Sequence, residues 1–157
     1  MAKLGESDRC EHMYLVNLKT GDLDYYETNG EPYSVGGRKL WEYISENTEE
    51  MFAFVHNHIT ASGFSETDMT TLLKTSNIPV MIAVRNDGVK YVAERTGGVL
   101  KGVWFDELYK DELEELNILS RSGRITSEER SFRREQIIVE CLLRDYTKGL
   151  IKIDGRK

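Results

Sequence analysis

The stretch FVHNHITASGFSETD, residues 54–68, joins an apolar run, two closely spaced histidines and a helix-start signal. The chain has only three histidines, and His56 and His58 are two of them. Residues i and i+2 of a β-strand point to the same face, so both imidazoles are predicted to face one point. Asp68 follows in the first turn of a predicted helix, where the helix dipole favours a carboxylate. This pattern predicts a metal site, since imidazole and carboxylate are both Zn²⁺ ligands.

The same residues allow a purely structural interpretation. Ser65 to Asp68 reads Ser-x-x-Asp, which is also typical of a capping box at a helix start, and Asp68 alone is more often a cap than a ligand. A His-x-His pair by itself is a weak motif, because short motifs recur by chance. The two signals together, at the end of a strand and the start of the next helix, favour a metal site.

A hydrolytic zinc site also needs a carboxylate that transfers protons beside the metal-bound water. The candidates in this chain are Glu11, Glu27 and Glu31, and Glu11 begins the first predicted strand. The alternative for each of the three is an ordinary solvated surface acid.

Around this stretch the sequence predicts alternating strands and helices. Apolar periodicity and turn residues predict strands at 12–18, 23–28, 51–58, 78–88 and 89–95, and helices at 38–47 and 65–77. Turn signals at 20–22 and 86–88 predict a hairpin at each place. The fold class is therefore predicted to be α/β (α+β).

The last third of the chain is more charged and predicts a helical hairpin. Helices are expected over 105–123 and 126–149, each with one apolar stripe. We place a boundary near residue 100, which separates a body at 1–100 from a helical extension at 101–157. The extension is expected either to pack on the body or to form an interface with a second copy or a partner.

Composition limits the function classes. The net charge of −6 argues against a general affinity for nucleic acid, although the segment RSFRREQ at 130–136 could form a local basic patch. Two cysteines far apart in sequence predict a reducing compartment, and no apolar run approaches the ~20 residues of a membrane span. A cytoplasmic protein is therefore expected, with no membrane as a partner.

The His-x-His pair followed by Ser-x-x-Asp resembles the JAB/MPN (JAMM) metalloprotease motif. The layout is most similar to the RadC-like bacterial branch, and it also resembles JAB-like domains of phage and mobile-element proteins. In that branch a Glu opens the first strand, a hairpin and a helix follow, and an apolar strand ends in His-Asn-His. The matching pieces here are 11–23, 38–47, 52–58 and 65–68.

This resemblance implies a cytidine-deaminase-like mixed sheet flanked by helices, and a zinc-dependent metallopeptidase or isopeptidase that acts on a protein or peptide. His56, His58 and Asp68 would bind Zn²⁺, and Glu11 would be the general acid/base that activates the zinc-bound water. Ser65 would donate a hydrogen bond to the oxyanion of the tetrahedral intermediate.

The sequence departs from the family pattern at two points. Ile59 stands where the family usually has Pro after the second His, and the loop 59–64 is one residue shorter than usual. The short loop favours an alternative function, a catalytically weak or inactive JAB-fold protein-interaction module. The retention of every polar residue type of the motif favours the enzyme.

Overall fold

One mixed sheet runs through the part of the chain that a computed structural model describes, residues 10–28, 36–58 and 63–153. Its strands are β1 (Met13–Asn17), β2 (Leu23–Glu27), β3 (Phe52–His58), β4 (Val80–Arg85), β5 (Lys90–Arg95) and β6 (Thr147–Ile153). They lie in the order β2-β1-β3-β4-β5-β6. Only β3 and β4 are parallel neighbours, and the other pairs are antiparallel.

Five helices accompany this sheet in the described ranges. They are α1 (Arg38–Glu46), α2 (Glu66–Lys74), α3 (Phe105–Leu108), α4 (Glu114–Arg121) and α5 (Ser127–Tyr146). The predicted α+β class is thus confirmed. Both predicted hairpins are also present, and the turn between β4 and β5 uses Gly88 at φ 85°, a backbone conformation that favours glycine.

The parallel pair determines where a site can form. Because α2 connects β3 to the parallel strand β4, its N-terminus lies beside the carboxyl end of β3. Ligand sites of α/β sheets form at such carboxyl ends, where helix N-termini also present free backbone N–H groups.

Two predictions for the last third of the chain are wrong in detail. The helix predicted over 105–123 is divided, because Tyr109 leaves helical geometry at φ −114° and ψ 36° and turns its buried ring inward. The helix predicted to reach residue 149 ends at Tyr146, and the chain continues as β6, which pairs with β5. The sheet therefore gains an edge strand that the sequence reading did not include.

The body and the C-terminal helices share one hydrophobic core. Met69 and Leu72 of α2 belong to the same buried cluster as Ile138 and Leu142 of α5. The predicted apolar stripe of α5 is therefore buried within the chain. The boundary near residue 100 stays a prediction, and it separates two segments that contribute to a common core.

Ile138→Val is expected to lower the free energy of unfolding by about 0.5–1.5 kcal/mol, because it removes one buried methylene group from this core. Urea denaturation followed by circular dichroism measures the change. Ile118→Val on α4 is the control, since that side chain is 53% exposed and should cost less than about 0.5 kcal/mol. Two separate unfolding transitions, with only one of them altered by Ile138→Val, would contradict a shared core.

Candidate metal centre

The end of β3 and the first turn of α2 meet at one edge of the sheet. His56 and His58 alternate with Asn57 along β3, so both imidazoles lie on the same face. Asp68 lies in the first turn of α2 and is buried together with both histidines. The structure therefore confirms the prediction that the end of β3 and the start of α2 meet.

Donor atoms of these three side chains meet at one buried point. Nε2 of His56 lies 2.7 Å from Nε2 of His58 and 3.0 Å from Oδ1 of Asp68. Nε2 of His58 lies 3.3 Å from Oδ2 of Asp68. Ligands about 2.0–2.1 Å from a tetrahedral zinc ion are separated by about 3.3 Å. The two imidazole nitrogens would therefore have to separate by roughly 0.6 Å, and Nε2 of His56 and Oδ1 of Asp68 by roughly 0.3 Å. The residues present fit a metal ion.

Charge at this point is also suited to a cation. Burial would raise the pKa of the Asp68 carboxyl, but the imidazoles of His56 and His58 hold that pKa well below its usual range. Burial lowers the pKa of His58, but the Asp68 and Glu11 carboxylates and a hydrogen bond with the Gly63 backbone raise it above its usual value. The cluster therefore keeps the Asp68 carboxyl ionised, which is the form that binds a metal ion.

The imidazoles differ in what holds their outer nitrogen. Metal-binding histidines usually donate their other ring N–H to a protein group, which fixes the ring orientation. The His58 ring bonds the backbone of Gly63, which meets this requirement. Nδ1 of His56 is buried without a hydrogen-bond partner among the described residues, so its polar contacts all run through Nε2.

Asp68 serves as helix cap and as cluster member at the same time. Its Oδ2 accepts hydrogen bonds from the Ser65 backbone N–H at 2.7 Å and from the Ser65 hydroxyl at 2.8 Å, while Ser65 Oγ accepts from the Asp68 N–H at 3.1 Å. Its Oδ1 faces His56. The capping-box interpretation is confirmed, and it is compatible with a metal site because Oδ1 takes no part in the capping box, whereas Oδ2 accepts the capping bonds and also lies 3.3 Å from Nε2 of His58.

Ser65→Ala is expected to lower the free energy of unfolding by about 0.5–2 kcal/mol through loss of the cap. It should also weaken zinc binding by about tenfold, the lower end of the effect of losing an outer partner of a metal ligand. The control is Thr126→Ala, because Thr126 caps α5 in the same way by accepting the Glu129 N–H. Thermal denaturation and zinc titration measure both effects. Equal zinc affinities in the two variants would contradict the dual role of Asp68.

The sequence interpretation missed Asn57, which holds the segment before β1. Its Nδ2 donates to the Cys10 carbonyl at 3.2 Å, and its Oδ1 accepts from the His12 backbone N–H at 2.6 Å. The Asn57 N–H donates in turn to the His12 carbonyl at 3.1 Å. These bonds fix the backbone of Cys10 and His12, the two residues that flank Glu11. Strand alternation could have indicated this role. It places Asn57 on the face of β3 opposite to the two histidines. A polar side chain buried on that face needs hydrogen-bond partners.

Glu11 lies beside the cluster but not at the start of a strand. β1 begins at Met13, so the prediction that Glu11 opens the strand is wrong by two positions. Burial raises the pKa of the Glu11 carboxyl, His58 and His56 oppose that rise, and Asp68 adds to it. The Glu11 carboxyl thus interacts electrostatically with all three cluster residues, and its role as a proton carrier stays a prediction.

The other acids that the sequence suggested differ from Glu11. Oε1 of Glu27 accepts from the Gly37 N–H at 2.8 Å, and its Oε2 accepts from the Tyr25 hydroxyl at 2.8 Å. These bonds give Glu27 a structural task in the loop before α1. Glu31 lies outside the described residues.

Comparisons of the chain with protein-family models, with curated proteins and with solved structures found no match. Among the described residues, no helix combines the length and the apolar character that crossing a membrane requires. The functional conclusion therefore rests on the site: a mixed α/β fold with a buried His-His-Asp group that could hold a metal ion.

Proposed function

We propose that this chain is a zinc-dependent hydrolase of the JAB/MPN (JAMM) type that cleaves a peptide or isopeptide bond. One observation carries the proposal: donor atoms of His56, His58 and Asp68 converge at one buried point. The charges of these three side chains also act on the pKa of the Glu11 carboxyl. Three protein ligands leave a fourth position for water or substrate, which is the arrangement of catalytic zinc sites.

The donor set favours zinc among the divalent ions. Mg²⁺ and Ca²⁺ prefer oxygen ligands and higher coordination numbers, whereas two imidazoles and one carboxylate suit a tetrahedral zinc ion. Zinc is also redox-inactive, which suits hydrolysis.

Bound zinc would lower the pKa of a coordinated water and polarise the substrate carbonyl. Glu11 would take a proton from the attacking water and later deliver it to the leaving amine, so one carboxylate would act first as base and then as acid. The raised pKa of Glu11 supports this role, because a proton carrier works best with a pKa near the working pH.

Ser65 would donate a hydrogen bond from its hydroxyl to the oxyanion that forms as the carbonyl is attacked. In the structure this hydroxyl donates to Oδ2 of Asp68 at 2.8 Å, so it would have to turn toward the substrate. The same observation favours the second candidate function, a JAB-like protein-interaction module of little or no activity, in which Ser65 only caps α2.

A peptide library tests the proposal. The zinc-loaded protein is incubated with proteome-derived peptides and with peptides linked through a lysine ε-amine, and mass spectrometry identifies new termini. The proposed hydrolase produces new termini that are missing when Glu11→Gln is used. A zinc-loaded wild-type protein that produces none of them, but retains a protein partner, would support the interaction module instead.

A further inference from the structure

Helix α5 contacts the first turn of α2, which carries Asp68. Arg134 of α5 donates from Nη1 to Oε2 of Glu66 at 2.6 Å and from Nη2 to Oε1 of Glu66 at 3.1 Å. Glu66 is the first residue of α2, so it lies between the cap residue Ser65 and Asp68. Arg134, 68 positions from Glu66 in the sequence, therefore binds the first turn of α2, the turn that contains Asp68.

The guanidinium of Arg134 is held on a second side. It donates from Nε to Oδ1 of Asp106 at 2.7 Å and from Nη2 to Oδ2 of Asp106 at 2.6 Å. Two bidentate pairs on a planar guanidinium fix its orientation more firmly than a single exposed ion pair would. Glu66 is thus bound to a group that is itself anchored to α3.

The neighbouring residue of α5 completes the contact. Oε1 of Glu135 accepts a hydrogen bond from the Glu66 backbone N–H at 3.2 Å. The first N–H groups of a helix have no partner within the helix, so an acceptor from another helix stabilises its start. The first turn of α2 is therefore held by Ser65 from within and by α5 from outside.

We propose that Arg134 and Glu135 are positioning residues of the metal centre, which act through Glu66 to hold Asp68 in its ligand geometry. The inference rests on the proposed function, because it needs a metal at His56, His58 and Asp68. A ligand has to be held to within about 0.5 Å for full function. Loss of the contact with α5 would let the first turn of α2 fray and would widen the range of positions of the Asp68 carboxylate.

The main variant is Arg134→Met, which removes the charge and keeps most of the side-chain length. Its affinity for Zn²⁺ is measured by competition with a chromophoric chelator, and Co²⁺ is titrated as a spectroscopic probe of coordination. We expect zinc affinity to fall by up to about tenfold, the lower end of the effect of losing a direct partner of a metal ligand, because Arg134 acts on Asp68 only through Glu66. The visible band of bound Co²⁺ should also weaken.

Arg133→Met is the matched control. Arg133 precedes Arg134 on α5 and pairs only with Glu129 of the same helix among the contacts that the structure describes. Its replacement should leave both the zinc affinity and the Co²⁺ spectrum unchanged. Arg134→Lys should recover part of the affinity, because lysine keeps the charge but cannot form the two bidentate pairs.

A purely structural role of Arg134 would appear as a lower melting temperature with unchanged zinc affinity, and that result would overturn the inference. Should Arg134→Met fail to fold, Glu66→Gln removes the same ion pair from the other side and is expected to weaken zinc binding similarly. A wild-type protein that binds no zinc would refute the proposed function and this inference together. Binding by wild type, with equal affinity in Arg134→Met and Glu66→Gln, would refute this inference alone.

Discussion

Replacing Glu11 by Gln is expected to reduce hydrolysis by a factor of about 10² to 10⁴ while bound zinc is retained. Glutamine has the same shape but cannot accept a proton from water or pass one to the leaving amine. Glu11 is not among the three clustered donors, so its loss should leave the metal in place. The rate is measured on the substrate that the peptide library provides, and the zinc content is measured on the same samples.

Glu27→Gln is the control for this experiment, because Glu27 bonds Gly37 and Tyr25 rather than the cluster. It should retain nearly all of the activity. An inactive Glu27→Gln beside an active Glu11→Gln would show that the proton carrier has been assigned to the wrong carboxylate.

The second large effect is expected on stability. Zinc at a free concentration 100-fold above its dissociation constant should stabilise the folded chain by about 2.7 kcal/mol, which raises the melting temperature by roughly 5–10 °C for a chain of this size. The reason is that a ligand bound only by the folded state shifts the equilibrium toward that state. Differential scanning fluorimetry with and without zinc measures the shift.

Three controls make this shift specific to the site. Chelation by EDTA should reverse it, and Mg²⁺ at the same concentration should not produce it, since two imidazoles are poor ligands for magnesium. Asp68→Ala should lose the zinc-dependent shift. An equal shift in Asp68→Ala would place the stabilising zinc elsewhere on the chain.

The site followed from short-range rules. Strand alternation placed His56 and His58 on one face, and the helix-start signal placed Asp68 in a first turn beside them. Both rules act over a few residues, so the sequence carries them directly. Glu11 became a candidate for another reason: a hydrolytic zinc site needs a proton-transferring carboxylate, and the JAB/MPN resemblance implies a Glu at the start of the first strand. In the structure that strand begins two residues later.

What the sequence did not reveal depends on contacts between distant residues. Asn57 and His12 are 45 positions apart, and no local pattern indicates that one holds the segment containing Glu11. The contact of Arg134 with Glu66 is equally remote, and from sequence alone the segment 130–136 indicates only a local basic patch on a helix. In the structure its three arginines instead pair with Asn117, Glu129, Glu66 and Asp106 of the same chain.

Strand β6 was missed for a different reason. It follows α5 with no intervening loop, so no turn residue separates the two elements before Thr147. Ile151 and Ile153 are typical strand residues whereas Gly149 is not, and an edge strand gains much of its stability from pairing, here with β5, which is a tertiary contact.

The most direct test of the central claim is the zinc content of the purified chain, measured by mass spectrometry of the metal. The protein is prepared without a histidine tag or a chelator, and Asp68→Ala is prepared in parallel. A metal centre at His56, His58 and Asp68 predicts close to one zinc ion per wild-type chain and almost none in the variant. Wild-type protein that remains without zinc after the ion is supplied at neutral pH, or equal zinc in both proteins, would contradict it.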